Sequence, residues 1–396
     1  MVAALSASAC VLNITGPDEP GPDDDVTGVA ADCSAGPKEP TGAPTGARGP
    51  HFVGRFSPTG QFSWSSSQVT ARFKSSSIAA TIELPAADPT YDPAKDGRVF
   101  SVTLDGLTSE VAAKPGRTVY TLGAGLDPNV VHEVTLTREF EANGGLARFE
   151  GFNLSSGGTF EPATVRPRRI EVIGDSISCG YGVLGGDGSC IFSFGTERQS
   201  LTYAAIAAKT LDAELTNVSW SGKGMSRNDN GDDAGQPSKN NPEVVAQGGP
   251  ELFSSIASSE VTNPGIPYGF PKEATPQVVL VHLGTNDFNF NVVDATFEER
   301  GSAFLKKIRE KYPEAHVFFA LSPMLSNTNG PEIRTRAGES LRKIVEGSGD
   351  PRAYYMQFTE QRGARDGLGC DGHPSKRTHE IVAGQFVKAI QKKLCW

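Results

Sequence analysis

Four separate segments of the sequence carry residue types that together suit acyl transfer. Ser176 follows the apolar run Ile170–Ile173, and His373 precedes a proline near the end of the chain. Between them, Gly222 and Asn286 each follow a run with the composition of a strand. Acyl transfer needs a nucleophile, a base that takes its proton, and donors for the oxyanion. A hydroxyl, an imidazole, a main-chain N–H and a side-chain amide supply those parts.

These segments lie in an alternating strand-and-helix pattern that begins near Arg169. Strands are predicted at Ile170–Ile173, Thr216–Trp220, Val278–Leu283, His316–Leu321 and Ala353–Phe358, and helices at Leu201–Leu211, Phe297–Arg309, Arg334–Val345 and Thr378–Leu394. Such alternation predicts a doubly wound, parallel α/β sheet. Because parallel strands end at one edge of their sheet, the four segments are expected to meet there. Residues 227–275 read as a long loop with one helix near Pro250–Ser258.

The motifs in these segments resemble the sequence blocks of a known superfamily. Those motifs are Gly174-Asp175-Ser176, Gly222, Gly284-x-Asn286-Asp287 and Asp371-x-His373-Pro374. They look like the four blocks of the SGNH (GDSL) hydrolases, and the fuller strings IGDSISCGYG, WSGKG, GTNDF and GCDGHPS resemble bacterial family 2 carbohydrate esterases. The resemblance covers roughly residues 51–396. It implies a jelly roll followed by an SGNH domain, and removal of O-acetyl groups from plant polysaccharides or oligosaccharides without a metal or other cofactor.

The resemblance also implies roles by position. Ser176 is the nucleophile and His373 the base, while the N–H groups of Ser176 and Gly222 and the side chain of Asn286 form the oxyanion hole. Asp371 lies two residues before His373, whereas SGNH enzymes at large place their aspartate three before. The narrower esterase group shares this closer spacing, and the resemblance to it implies Asp371 as the third catalytic residue. Two alternatives stay open: Asp371 only holds the turn, or a backbone carbonyl orients the histidine, as the resemblance to some members of that group implies. Asp175 is expected to brace its own turn.

Residues 51–160 show a different sequence pattern, with short runs of alternating apolar and polar residues separated by turn residues. The runs are Gln68–Lys74, Ser77–Leu84, Val99–Leu104, Thr118–Leu122, Val131–Thr137 and Arg148–Leu154. This spacing predicts an all-β sandwich or jelly-roll domain. It holds no second cluster of catalytic residue types, so we expect it to support the hydrolase domain, predicted over residues 165–396, or to bind carbohydrate.

The first fifty residues are predicted to be an export-signal remnant and a disordered acidic linker. Met1–Cys10 resembles the end of a bacterial lipoprotein signal with Cys10 as the acylated residue, although it has no charged start, so an accidental likeness is the alternative. Residues 11–50 are rich in Pro, Gly, Asp and Thr, and such a composition cannot bury enough apolar surface to offset its ordering entropy.

The net charge and the cysteine content limit the classes of binding partner and the cellular compartment that we expect. The formal net charge is −9 without a basic cluster, which argues against nucleic acid and anionic membranes as partners. Six cysteines fit an exported protein. If Ser176 and His373 meet, Cys179 and Cys370 come within disulfide reach, and two buried free thiols are the alternative. The sequence has neither the CxxC spacing nor the closely spaced histidine pair that zinc sites use, so no metal site is predicted.

The sequence thus predicts a secreted or cell-envelope bacterial lipoprotein that acts as a serine esterase on acetylated carbohydrate of the xylan or glucomannan type. The reaction passes through an acetyl-enzyme. Two alternatives stay open. One is a lipase, thioesterase or other small-ester hydrolase of the same superfamily, and the other is a carbohydrate-binding surface protein without catalysis.

Overall fold

A computed structural model describes residues 26–34, 46–85, 96–228, 252–258, 261–262, 264–290, 292–330 and 332–396. The predicted export signal and Cys10 lie outside these residues. Within the described ranges, none of the helices combines the length and the apolar character that crossing a bilayer requires.

The N-terminal domain is a sandwich of two antiparallel sheets. Its strands are β1 His51–Val53, β2 Gln61–Phe62, β3 Gln68–Lys74, β4 Ser77–Leu84, β5 Val99–Leu104, β6 Leu107–Ala112, β7 Gly116–Ala124, β8 His132–Arg138, β9 Ala147–Leu154 and β10 Thr159–Glu161. One sheet has the order β1-β3-β8-β5-β6, with β10 also paired to β3, and the other has the order β2-β9-β4-β7. Alternate side chains such as Val69, Ala71 and Phe73 fill the space between the sheets. The predicted β domain is confirmed.

The C-terminal domain is built on five parallel strands in the order β12-β11-β15-β16-β17. These strands are β11 Arg168–Gly174, β12 Ala213–Ser219, β15 Val278–His282, β16 His316–Leu321 and β17 Ala353–Gln357, while β13 Ser255–Ala257 and β14 Ile266–Pro267 pair outside that sheet. In chain order the sheet reads 2-1-3-4-5, which is a doubly wound topology whose ligand crevice lies where the first and third strands adjoin. The predicted fold class is confirmed.

Helices cover both faces of this sheet. They are α1 Ser176–Cys179, α2 Tyr203–Thr210, α3 Thr285–Asn289, α4 Asp294–Lys311, α5 Ile333–Ser348, α6 Gly363–Asp366 and α7 Lys376–Leu394. The central strand β15 is buried throughout, so it must be apolar on both sides. Val279 and Val281 pack with α4 and α5, whereas Val278 and Leu280 pack with α2 and α7. The two layers hold the sheet rigid beneath its loops.

The segment 26–34 corrects part of the prediction of a disordered linker over residues 1–50. Thr27 donates its N–H to the carbonyl of Tyr355 at 3.0 Å, and its hydroxyl accepts the Tyr355 N–H at 2.9 Å. A disulfide joins Cys33 to Cys395, with 5.4 Å between the Cα atoms. This segment is ordered because it pairs with the sheet edge and is bonded through a disulfide. Its composition alone would not order it.

The helix predicted near Pro250–Ser258 is also corrected. Leu252–Ser254 forms a single 3-10 turn, and Ser255–Ala257 continues as β13. The reason is a contact from the other domain. The buried Arg55 guanidinium donates to the main-chain carbonyls of Leu252, Phe253 and Ser255, which a helix would have used internally.

Arg55 also locks the two domains together. Its guanidinium donates to the Glu171 carboxylate at 2.9 Å and lies 4.4 Å from the centre of the Tyr268 ring. Glu171 belongs to β11, the strand that leads to Ser176, and Arg55 is fully buried there. The β domain thus reaches into the core of the α/β domain.

Candidate active site

Ser176 and His373 meet at the carboxyl edge of the parallel sheet. Ser176 is the first residue of α1, directly after β11, and its turn is held by Asp175, whose carboxylate accepts the Ile177 N–H at 3.0 Å. The Oγ of Ser176 lies 2.8 Å from Nε2 of His373. That distance lets the imidazole accept the hydroxyl proton. The pair forms because the turn before α7 folds back over the end of β11.

A main-chain carbonyl orients the histidine. The Nδ1–H of His373 donates to the carbonyl oxygen of Cys370 at 3.2 Å, which leaves Nε2 as the acceptor for Ser176. The Asp371 carboxylate points elsewhere and accepts the Tyr181 hydroxyl at 2.8 Å and the Phe192 N–H at 3.0 Å. Asp371 is therefore not the hydrogen-bonded third member of a triad, which corrects that prediction in favour of the carbonyl alternative. Its backbone adopts φ 51°, and this turn directs the Cys370 carbonyl toward the ring.

Aromatic stacking and a disulfide surround the histidine. The Tyr181 ring stacks on His373 and on Phe192, with 4.1 Å between centroids in each case. Cys370 is bonded to Cys190, with 4.6 Å between their Cα atoms. The Cys179–Cys370 disulfide, one of two alternatives left open by the sequence, is therefore wrong, and so is the free thiol that the other alternative placed at Cys370.

Cys179 follows the free-thiol alternative, since it is buried and its Sγ faces a carboxyl oxygen of Glu141 at 3.7 Å. The contact with Glu141 places this thiol against the β domain, to which Glu141 belongs.

Burial sets the protonation states in the site. Desolvation lowers the pKa of His373 to about 4, with the Cys370 carbonyl opposing that shift. The imidazole is therefore neutral at pH 7 and ready to act as a base. Desolvation also raises the pKa of the fully buried Asp175 to about 7, with the Ile177 N–H opposing that shift.

The candidate oxyanion donors follow three adjacent strands. Gly174 on β11 pairs in register with Ser219 on β12 and with His282 on β15. From these three paired residues, the chain reaches Ser176 two residues after Gly174, Gly222 three residues after Ser219, and Asn286 four residues after His282. The sheet thus delivers all three to one crevice.

Hydrogen bonds fix the Gly222 loop relative to α3. The Asn286 amide donates to the Lys223 carbonyl at 2.8 Å, which leaves its second N–H for a substrate. The buried Asp287 carboxylate accepts the N–H groups of Met225, Ser226 and Arg227 at 2.7–2.8 Å. Asp287 thus has a structural role, since it holds the Gly222 loop against α3.

The main chain offers the remaining donors. Gly222 has φ 76°, which a residue with a side chain rarely adopts. Within the described part of the chain, the N–H groups of Ser176 and Gly222 have no acceptor. Unpaired N–H groups beside a nucleophile are what a developing oxyanion requires.

Comparison with known proteins matches both domains. Residues 172–381 match the GDSL-like lipase/acylhydrolase family, and residues 52–163 match the carbohydrate esterase 2 N-terminal family. The first match spans all four predicted catalytic segments. The chain belongs to the GDSL-like lipase/acylhydrolase family. The resemblance stated from the motifs is thereby confirmed, and so is the enzyme class, carboxylic ester hydrolase.

Several relatives are similar to this GDSL-family chain over most of its length. It is 31% identical to the cellulase/esterase CelE of Acetivibrio thermocellus over 351 residues, which are 87% of this chain and 39% of CelE. It is 26% identical to an acetylxylan esterase / glucomannan deacetylase of Cellvibrio japonicus, over 75% of this chain and 79% of that protein. A solved family two carbohydrate esterase from Clostridium thermocellum, in complex with cellohexaose, is 28% identical with a TM-score of 0.71 and covers 87% and 98% of the two chains.

One group of side chains behind the site has the composition of a metal site. Carboxyl oxygens of Glu141 and Glu197 and the sulfur of Cys179 lie within 4.8 Å of one another, all buried. Burial raises the pKa of the Cys179 thiol and of the Glu197 and Glu141 carboxyls, which favours the protonated forms over the charged forms that bind a metal. The Glu141 carboxylate already accepts two hydrogen bonds from Ser221. The group is therefore a buried hydrogen-bonded network in the GDSL-family chain.

Sequence reasoning missed three residues that shape this site. Tyr181 and Cys190 hold the histidine loop, and Glu141 contacts the Gly222 loop from the other domain. Tyr181 lies within the IGDSISCGYG string, so its proximity to Ser176 was a signal for it. No local pattern marks Cys190 or Glu141, because each acts on a distant part of the chain.

Proposed function

We propose that this protein is a serine esterase that removes O-acetyl groups from polysaccharides or oligosaccharides of the xylan or glucomannan type. One observation carries the proposal: the 2.8 Å contact between Ser176 Oγ and a neutral His373, beside main-chain N–H groups that have no acceptor among the described residues. This arrangement suits attack on an ester carbonyl.

The first half-reaction acetylates the serine. His373 Nε2 takes the hydroxyl proton as Ser176 Oγ bonds to the acetyl carbonyl carbon. The carbonyl oxygen becomes an oxyanion, which the N–H groups of Ser176 and Gly222 and the Asn286 amide face. The bond to the sugar oxygen then breaks, and that oxygen leaves as a hydroxyl with the proton from His373.

The second half-reaction releases acetate. Water gives a proton to His373 Nε2 and attacks the acetyl carbon, forming a second oxyanion in the same place. Collapse expels Ser176 Oγ, which recovers the proton. In both halves the Cys370 carbonyl holds the ring in one tautomer and accepts from the imidazolium.

The choice of acetylated carbohydrate is supported by the relatives. Their names include an acetylxylan esterase / glucomannan deacetylase, and one solved relative is in complex with cellohexaose. The likeness covers 75% of this chain in the first case and 87% in the second, so it extends beyond the catalytic domain in both.

We also propose that the protein works outside the cytoplasm. The disulfides Cys33–Cys395 and Cys190–Cys370 persist in an oxidising compartment. A lipid on Cys10 stays a prediction, and mass spectrometry of the mature protein purified from its source would test it.

An acetate-release screen tests the proposed activity. Acetylated xylan, acetylated glucomannan and 4-nitrophenyl acetate are compared with butyrate and octanoate esters, using Ser176→Ala as the control. We expect acetate from at least one polysaccharide, little release of octanoate, and no release by the variant. Hydrolysis confined to the longer esters would instead favour a lipase, and parental activity of Ser176→Ala would refute the serine mechanism.

A further inference from the structure

The Gly222 loop is held by a glutamate of the β domain. One carboxylate oxygen of Glu141 accepts the Ser221 N–H at 2.7 Å, and the other accepts the Ser221 hydroxyl at 2.9 Å. Ser221 directly precedes Gly222, whose N–H is a candidate oxyanion donor. Glu141 is fully buried, so water does not compete for these bonds.

Packing from the same domain supports that contact. The Trp64 ring meets Trp220 edge-on, with 6.4 Å between centroids. Ala142, next to Glu141, belongs to the same small apolar cluster as Trp220. The β domain therefore contacts two consecutive loop residues, Trp220 through rings and Ser221 through a carboxylate.

The two ends of the loop have different anchors. Residues 223–227 are tied to Asn286 and Asp287, which belong to the catalytic domain itself. On the other side, the side-chain anchor of Ser221 is Glu141. The donor N–H of Gly222 belongs to the peptide bond that joins Ser221 to Gly222, so its direction depends on how Ser221 is held. A glycine at φ 76° adds no steric restriction of its own.

We propose that Glu141 is a positioning residue for the oxyanion hole, so that the β domain completes the catalytic apparatus of the α/β domain. This inference rests on the proposed function in one respect, namely that Gly222 donates to the oxyanion. It assigns the β domain a role in ester hydrolysis that is independent of carbohydrate binding. Glu141 acts through Ser221 and touches no substrate.

Glu139 provides a matched control. It lies two residues earlier, is equally buried, and also accepts a main-chain N–H of the catalytic domain, from Ser200 at 2.8 Å. Its second bond comes from the Ser101 hydroxyl. Ser200 precedes α2 and, unlike Ser221, is not adjacent in the chain to an oxyanion donor. Removing either carboxylate damages the same interface, but only the loss of Glu141 removes the side-chain anchor of Ser221 beside the Gly222 N–H.

The experiment measures kcat and KM for 4-nitrophenyl acetate, which needs no carbohydrate subsite. We expect Glu141→Ala to lower kcat about 10- to 100-fold with KM changed less than about 3-fold, because a displaced donor is lost mainly in the transition state. Glu141→Gln, which can still accept the Ser221 N–H, is expected to recover most of that loss. Glu139→Ala should leave kcat within about 3-fold, and the pH dependence set by His373 should not move in any variant.

A second reaction probes the oxyanion hole directly. Phosphonylation of Ser176 by a 4-nitrophenyl alkylphosphonate should slow in Glu141→Ala in proportion to kcat. Equal losses in Glu141→Ala and Glu139→Ala, or an unchanged kcat in the former, would overturn the inference.

Two further outcomes are decisive. If Glu141→Ala does not fold, Ser221→Ala is measured in its place. We expect Ser221→Ala to lower kcat about 3- to 10-fold, and an unchanged kcat would contradict the inference. A parental enzyme that hydrolyses 4-nitrophenyl acetate but no acetylated polysaccharide would contradict the proposed substrate and leave the Glu141 comparison intact.

Discussion

The Nδ1 of His373 lies 3.2 Å from the carbonyl oxygen of Cys370, so a main-chain group occupies the place that a carboxylate holds in a Ser-His-Asp triad. A carbonyl fixes the tautomer as a carboxylate does, but it carries no full negative charge. The base in this site therefore depends on the shape of one turn. That turn is set by the neighbouring Asp371 and by the disulfide from Cys190.

Replacing Asp371 should cost far less activity than replacing His373. His373→Ala removes the base and should lower kcat by roughly 10⁴-fold or more. Asp371→Asn keeps the side-chain shape and removes only a charge that acts on the ring through space, so a loss of about 10-fold or less is expected. Steady-state kinetics on 4-nitrophenyl acetate decide this, and a loss near 10⁴-fold for Asp371→Asn would restore it as a triad member.

The pH profile should follow the lowered pKa of His373. The imidazole must be neutral to accept the Ser176 proton, so kcat/KM should rise with pH through about 4 and be lost below it. An inflection near the ordinary histidine value of about 6.5 would contradict this. Because burial raises the pKa of Asp175 to about 7, the same profile for Asp175→Asn identifies any contribution from that carboxyl.

The two disulfides should differ in their effect on catalysis. The double variant Cys190→Ala with Cys370→Ala loosens the loop whose Cys370 carbonyl orients His373, so kcat should fall. The fall should be only several-fold, because hydrogen bonds such as that from the Cys370 N–H to the Gly182 carbonyl remain. The matched variant, Cys33→Ala with Cys395→Ala, removes a bond far from that loop in the chain and should leave kcat unchanged. Each pair should lower the free energy of unfolding by about 2–5 kcal/mol.

Chemical denaturation and initial rates on the same samples separate the two effects. A kcat loss shared equally by both pairs would show that the Cys190–Cys370 bond has no particular connection with the histidine.

Asn286→Ala should act on kcat. Its amide holds the Lys223 carbonyl and offers a second N–H to the oxyanion, so its loss should lower kcat by roughly 10²–10³-fold, which is about 2.7–4 kcal/mol of transition-state stabilisation. KM should change little, since the ground-state carbonyl binds these donors weakly. A rise in KM with kcat unchanged would assign Asn286 to substrate binding.

Arg55 should contribute mainly to stability. Arg55→Met leaves Glu171 buried with its charge uncompensated, apart from the hydrogen bond that Tyr312 donates at 3.0 Å. A loss of about 3–5 kcal/mol in the free energy of unfolding is expected, measured by urea denaturation. The double variant Arg55→Met with Glu171→Gln should recover part of that loss, and a single variant as stable as the parent would contradict the buried ion pair.

Local sequence patterns were sufficient to predict most of the strands that position the site. The run Val278–Val281 is apolar without interruption because both faces of β15 are covered, and that pattern is visible in the sequence. In the β domain, alternation located Gln68–Lys74 and Ser77–Leu84, since side chains of a strand point to opposite faces. The exposed β6 Leu107–Ala112 has no such contrast between its faces and was missed.

By itself, the sequence determined the two domain folds, the positions along the chain of the strands that bear the site, and the pairing of Ser176 with His373, because each follows from periodicity or from a motif at a strand end. Only the tertiary structure decided what holds them: the Cys370 carbonyl in place of Asp371, Cys190 as the disulfide partner, and Glu141 behind Ser221. These contacts join residues that are distant in the chain, and a turn that re-aims one carbonyl or one carboxylate leaves no periodic trace in the sequence.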